Sequence, residues 1–320
     1  MPIIFVAGCG RSGTSYLRTI LDAHPEVFIP NESLFIADYL AYARYVPRPL
    51  LERLFFREPQ LLCWYEGGRF RIDDMREAIA RVHTEEAQRK GARIWGQKTP
   101  RFVHHMDLFN QHFPPIKWLL IYRDPRGVAA SMMKSVQHTY SVVRACKRWN
   151  NDNGEILHRL RTGKIDANVM LIKYEDLILS YDETLEQIFR FLSLEPINRD
   201  EVNQRGRPAF FKRSRFKMNT IRGGLTPDPR MINSWMNVLN EQEVRYIEHT
   251  CGEGMRIMGY EPVSNPEIPL GKRFVVDGLK DVSIFFQYLF RWPEYLLITL
   301  IRYVVFRGFY HANRLLRRET

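Results

Sequence analysis

An α/β fold, with a central parallel sheet flanked by helices and a helical appendage at the C-terminus, is predicted by three observations. The apolar run "IIFVAG" leads into a glycine-rich turn and then into a helical pattern. "IKWLLIYRDPRGVAASMM" at 116–133 makes a second junction of the same kind. Further short apolar runs alternate with amphipathic stretches, which is the signature of consecutive βα units. The chain has 320 residues, enough for one large domain over 1–265 and an appendage over 266–320.

Pro2 to Ala7 is a continuous apolar run, as expected of a strand covered on both faces. Ser12 to Ala23 follows as a helix with Leu17, Ile20 and Leu21 on one side. Val27 to Ile29 suits a second short strand, and Leu34 to Arg44 and Asp73 to Lys90 read as helices. "ARIWGQKTP" at 92–100 is a strand ending in a loop; Arg101 to His112 then repeats Phe102, Met106 and Phe109 at helical spacing. Ile116 to Tyr122 is another buried strand, after which Asp124 can cap a helix with Pro125 in its first turn. Tyr140 to Leu160 is predicted helical, 167–177 contains a strand, and Asp182 to Leu192 is an amphipathic helix. The basic, Gly- and Pro-bearing stretch 203–230 reads as a long loop, and helical signals return over Met231 to Met255.

Hydrophobic residues make up 45% and aromatics 13%, which rules against general disorder. The formal net charge of +11 suits an anionic ligand, an anionic membrane or nucleic acid. Cys9, Cys63, Cys146 and Cys251 are far apart and form no C-x-x-C pair, so neither a disulfide framework nor a zinc site is suggested. Met1 is followed almost at once by the first apolar run, with no basic leader or cleavage site, so a cytoplasmic, reducing location is expected.

The opening loop carries the chemistry. Gly8 and Gly13 have the spacing of the phosphate-binding G-x-x-x-x-G-K-[ST] pattern, but Thr14 stands where the lysine belongs. Backbone N–H groups at Gly8, Gly10 and Gly13, the forked cation of Arg11, and the hydroxyls of Ser12, Thr14 and Ser15 make an anion cradle. The missing lysine weakens an ATPase or kinase reading, in which it would bridge phosphates beside Mg²⁺. A shorter anion, joined to a nucleoside through a 5′-phosphate, fits better.

"GRSGTSYLRTILDAHPEV" resembles the 5′-phosphosulfate loop of sulfotransferases that use 3′-phosphoadenosine-5′-phosphosulfate (PAPS), in particular the tyrosylprotein sulfotransferases and related bacterial enzymes. "IYRDPRGVAASM" is similar to that family's 3′-phosphate signature. The resemblance runs from about Pro2 to Tyr260 and implies a P-loop-type α/β domain, with PAPS as co-substrate and no metal. It places Gly10, Arg11, Ser12, Gly13, Thr14 and Ser15 on the 5′-phosphosulfate and Arg123 and Ser131 on the 3′-phosphate. The second pair also makes sense alone. Arg123 ends a strand, where open α/β sheets hold ligands, and Ser131 lies about two helical turns on. Arg126 reads as a surface charge.

In the tyrosylprotein enzymes a catalytic glutamate follows "DAHP" within two adjacent acids. Here Asn31 takes the first place and Glu32 the second, which implies Glu32 as general base. The family's K-[DT]-P stretch matches Lys98-Thr99-Pro100, implying that Lys98, helped by Arg11, neutralises the leaving oxygen. Ser214 in "KRSRF" and Arg222 in "IRGGL" resemble further nucleotide contacts. His24, His104 and His105 are read as structural, and "KYEDL" as a structural segment in which Tyr174 packs near the sheet.

The tail "VSIFFQYLFRWPEYLLITLIRYVVFRGFYHANRLLRRET" has no 18-residue uncharged run. Arg291, Glu294 and Arg302 fall near one face, among large apolar side chains. Two expectations stay open for 271–320: contact with an anionic membrane at its inner face, or packing on the core or on another copy as a homodimer. The expected function is transfer of a sulfuryl group to an acceptor hydroxyl, of a lipid, glycolipid or other membrane-associated molecule. Nucleic acid is not an expected partner. The alternatives are a nucleotide kinase or a non-catalytic basic membrane- or nucleic-acid-binding protein.

Overall fold

The computed structural model describes residues 1–113, 115–134, 141–206, 226–265 and 293–316. Five strands, all parallel, form one sheet in the order β2-β3-β1-β4-β5. They are β1 Ile3–Gly8, β2 Val27–Phe28, β3 Ile94–Lys98, β4 Ile116–Tyr122 and β5 Val169–Lys173. The predicted strands are therefore all present, with ends shifted by a residue or two. β1 is central because it is apolar throughout and is paired on both sides. Its alternate side chains feed two cores. Phe5 and Ala7 face Trp95, Phe102, Phe109 and Trp118, while Ile4 and Val6 face Leu17, Ile20, Leu119 and Ile121.

The first core is covered by α2 (Phe35–Tyr42), α5 (Met75–Arg89), α6 (Met106–His112), α8 (Val142–Asp152) and α13 (Glu241–Ile257). The second is covered by α1 (Thr14–Asp22), α10 (Tyr174–Leu179) and α11 (Tyr181–Leu192). Shorter helices α3 (Arg48–Phe55), α4 (Pro59–Leu62), α7 (Pro125–Met133), α9 (Gly154–Thr162) and α12 (Arg199–Arg205) lie between these along the chain. The register aligns the carboxyl ends that matter. Val6 is opposite Lys98, and Gly8 is opposite Ile121, two residues before Arg123. Since the chain runs from β1 to the β2–β3 side and later to the β4–β5 side, the crevice beyond β1 is where such sheets hold ligands.

Three predicted helices differ in detail; over Met231 to Met255, the 3-10 turns Pro229–Met231 and Ser234–Asn237 come first and α13 begins only at Glu241. Arg101 to His112 opens as a 3-10 segment, Pro100–His105, before α6. Tyr140 to Leu160 is split at Asn153, whose side chain donates to the Trp149 carbonyl at 2.8 Å and separates α8 from α9.

The last helix, α14 (Pro293–Leu316), packs against α2 and the 3-10 turn Ala43–Tyr45. Phe306 is buried edge-on against Tyr39, with ring centroids 5.0 Å apart. Arg302 is buried too, with Nη1 2.7 Å from Glu58 and Nε 3.0 Å from Asp38. Within the described part of the tail, 293–316, this face meets the packing expectation; 271–292 lie outside the described residues. The other face of α14 exposes Leu297, Leu300, Ile301 and Val304. Among the described residues no helix is long and apolar enough to cross a membrane.

Candidate functional site

The loop between β1 and α1 is built on left-handed backbone. Gly8 has φ 133° and Gly13 φ 93°, and Arg11 adopts φ 73°, a conformation a non-glycine residue seldom holds. At Gly8 a Cβ would meet the Ile121 carbonyl oxygen at 2.2 Å; at Gly13 it would meet the Tyr174 ring at 2.5 Å. Both glycines are thus required by turn and packing together. α1 starts directly after Gly13 with no side-chain cap, so its first N–H groups face the loop. Ser12 is fully buried, and its Oγ has no hydrogen-bond partner among the described residues.

Arg11 and Arg123 meet over this loop. Arg11 Nε donates to Ser131 Oγ at 3.0 Å, joining residues 120 apart in sequence. Arg123 Nη1 donates to the Arg11 carbonyl at 3.4 Å and Nη2 to that of Met231 at 3.0 Å, while its Cζ lies 4.1 Å over the Tyr174 ring. Its Nε is buried without a partner among the described residues. Neither arginine has a carboxylate partner there. Burial, then the nearby charge of Arg123, lowers the pKa of Arg11, and Glu32 offsets only part of that.

Lys98, at the end of β3, is almost fully buried. Its Nζ donates to Glu32 Oε1 at 2.5 Å and to Ser15 Oγ at 3.2 Å. Glu32 is partly exposed, and the neighbouring Ser33 N–H donates to Thr99 Oγ1 at 3.1 Å, fixing the loop after β2 against the end of β3. A cation, a solvent-reached carboxylate and an anion loop therefore stand side by side. Cys9 is also in the loop, fully buried, and burial pushes its thiol pKa far up.

The structure thus brings together Gly10, Arg11, Ser12, Gly13, Thr14, Ser15, Glu32, Lys98, Arg123 and Ser131 at one end of the sheet. Ser214 and Arg222 lie outside the described residues. Arg126 is not a surface charge. It is buried, chelated by Asp124 and bonded to Glu248 at 2.7 Å and to the Glu261 carbonyl at 3.1 Å. Asp124 caps α7 through the Arg126 N–H, and its own N–H donates to Glu175, which also takes the Tyr260 hydroxyl at 2.8 Å. This frame holds the turn that carries Arg123. Tyr174 packs by the sheet as expected, but under the Arg123 guanidinium. His24 is structural, its Nε2 3.0 Å from the Glu195 carbonyl and its pKa lowered by burial. Sequence reasoning missed Arg148, which lies across Gly10. The basic polar side of the helix predicted at 140–160 was the available signal, but none of its residues was assigned to the nucleotide.

Residues 2–198 match the family model described as "Sulfotransferase family". The chain is 25% identical to protein-tyrosine sulfotransferase 2 of Gallus gallus, an alignment covering 83% of this chain and 71% of that protein. It is 23% identical to the nodulation protein NoeE of Sinorhizobium fredii, covering 82% and 67%. The sulfotransferase domain of the Synechococcus PCC 7002 olefin synthase superposes with a TM-score of 0.54 at 20% identity, over 82% of this chain and 95% of that one, which shows a common fold. With a family match over more than half its length and that fold beneath it, the chain belongs to the sulfotransferase family.

Proposed function

We propose that this enzyme transfers the sulfuryl group of PAPS to an acceptor hydroxyl at the site described above. The observation that carries the reading is the pairing of Arg11 and Arg123, two cations without carboxylate partners among the described residues, around a glycine loop with an unsatisfied buried hydroxyl at Ser12. Uncompensated arginines beside free helix N–H groups favour a doubly anionic nucleotide. Thr14 in place of the P-loop lysine favours a sulfonucleotide over ATP. Arg11 with Gly10, Ser12, Gly13, Thr14 and Ser15 would hold the 5′-phosphosulfate. Arg123 and Ser131 would hold the 3′-phosphate, with the Arg11–Ser131 bond exchanged for bonds to the ligand. Ser214 and Arg222 are assigned to the same nucleotide by resemblance alone.

The chemistry then divides between Glu32 and Lys98. The acceptor oxygen attacks sulfur, its proton passes to the Glu32 carboxylate, and the bond from sulfur to the bridging oxygen breaks. The leaving group is 3′-phosphoadenosine-5′-phosphate (PAP), whose new negative charge lies near Lys98 and Arg11. No step requires a metal. The acceptor is proposed to be a lipid, glycolipid or other membrane-associated hydroxyl, with the exposed Leu297, Leu300, Ile301 and Val304 stripe resting on an anionic leaflet from the cytoplasmic side. The curated relatives are named for protein tyrosine and for nodulation, so a peptide hydroxyl is the competing acceptor.

Calorimetry with PAP and with ATP, each with and without Mg²⁺, tests the nucleotide. Preference for PAP without Mg²⁺ is expected; equal affinity or a strict Mg²⁺ requirement would favour a kinase. Mass spectrometry of lipid and peptide extracts incubated with enzyme and PAPS then identifies the acceptor class. Flotation with anionic vesicles tests the membrane contact, and a homodimer through the same stripe would show instead as a doubled mass in solution.

A further inference from the structure

Behind the phosphate loop lies a chain of three ionisable side chains from two elements. Arg148 and Asp152 are one turn apart on α8, and Arg148 Nε donates to Asp152 Oδ2 at 3.1 Å. Asp152 is buried, and its other oxygen lies 2.9 Å from His104 Nε2, at the end of the 3-10 segment that follows Lys98. Burial alone would raise the pKa of Asp152, but the His104 bond and the Arg148 charge outweigh it and hold the carboxyl below its usual range. Arg148 is placed with care. A Cβ on Gly10 would stand 2.8 Å from Arg148 Nη2 and 3.3 Å from its Cζ, so the guanidinium lies against the loop backbone at Gly10. Its neighbour Trp149 donates Nε1 to the Arg123 carbonyl at 2.9 Å, which ties the register of α8 to the β4 exit. Arg148 is also among the charges that lower the pKa of Arg11.

Placing the Arg148 Nη edge on the backbone of the anion loop, where its charge and that of Arg123 both act on Arg11, raises repulsion that an anion would relieve. We propose that Arg148 is a third cationic ligand of the 5′-phosphosulfate and that Asp152 and His104 are positioning residues that hold it across Gly10. The inference rests on the PAPS reading of the loop.

The test is calorimetric binding of PAPS and of PAP, without acceptor, to the wild-type enzyme and to Arg148→Gln, Arg148→Lys, Asp152→Asn and the Arg148→Gln/Asp152→Asn double variant. A thermal melt on each protein checks folding. Arg148→Gln is expected to weaken PAPS roughly ten- to a hundredfold, the span of one charged hydrogen bond, with Arg148→Lys in between. A larger loss for PAPS than for PAP places the guanidinium on the sulfuryl end; equal losses place it on the phosphate. Asp152→Asn should change PAPS affinity in the wild-type background and leave it unchanged in the Arg148→Gln background. A general effect of removing the carboxylate would persist in both and would overturn the positioning role. If the wild type binds PAPS and folded Arg148→Gln and Arg148→Lys bind it within about twofold of that, the ligand role is overturned. If the wild type binds neither nucleotide, the PAPS reading itself fails.

Discussion

Replacing Arg302 with methionine asks whether the last helix is part of the folded body. Methionine keeps much of the length and apolar bulk, so the perturbation is chiefly the lost charge. Arg302 stands 2.7 Å from Glu58, a carboxylate only 2% exposed, whose remaining side-chain partner among the described residues is the Tyr39 hydroxyl at 3.1 Å. Asp38, the other acid at Arg302, has a half-exposed side chain and should add little. Leaving one member of a buried pair alone costs about 3–5 kcal/mol. For a chain of 320 residues that corresponds to a fall of roughly 4–7 °C in Tm. Burial already raises the pKa of Glu58, with Arg302 pulling against it, so the variant should raise it further. A carboxyl whose folded pKa is raised favours the folded state when protonated. The deficit should therefore be greatest at neutral pH and shrink as the pH falls through that raised value. Adding Glu58→Gln should recover most of the loss. Thermal melts across pH on wild type and both variants read all of this. A variant that melts with the wild type, or whose deficit grows in acid, would show that α14 is not seated on α2.

Other outcomes follow from the site and the core. Arg123→Ala should weaken PAP binding by about 1.5–3 kcal/mol, read by calorimetry. Glu32→Gln should slow sulfuryl transfer about 10²–10⁴-fold with PAP affinity near normal; full turnover would place the base elsewhere. Gly8→Ala combines a positive φ with a Cβ 2.2 Å from the Ile121 carbonyl oxygen, and should cost about 2–6 kcal/mol in denaturant melts. His83 is fully buried against the Ile79 carbonyl, and burial lowers its pKa to about 4. Its contribution is present above the ordinary histidine value near 6.5 and is lost as the pH falls towards 4, so His83→Gln should flatten that limb of a stability–pH curve.

The strands were legible because a parallel sheet covered on both faces demands unbroken apolar runs, as in Ile116–Tyr122. The loop was legible because left-handed turns and close backbone approach select glycine at fixed spacing. What escaped depended on contacts between distant segments. Arg126 has the composition of a surface residue and becomes buried only because Glu248 and Glu261 fold back onto it. Arg148 gains its place only when the fold brings its guanidinium against Gly10, a contact that the basic side of the predicted helix hints at but does not locate. The break at Asn153 was visible as "NDNG", a turn-forming cluster, but the apolar residues on both sides continue at helical spacing and masked it.

The Arg302–Glu58 pair also orders events during synthesis. Its members are 244 residues apart, so at roughly 5–20 residues per second a ribosome makes Glu58 some 10–50 seconds before its counter-ion. During that interval the α2–α4 segment carries a carboxylate that cannot be buried as an ion, beside the Tyr39 and Tyr42 rings that Phe306 will later pack against. The glycine loop, whose strands and flanking arginines are made well before then, can assemble first. The nascent chain would hold a formed anion cradle next to an unfinished aromatic wall, and that wall is where a chaperone or a misfolding contact would find its opening.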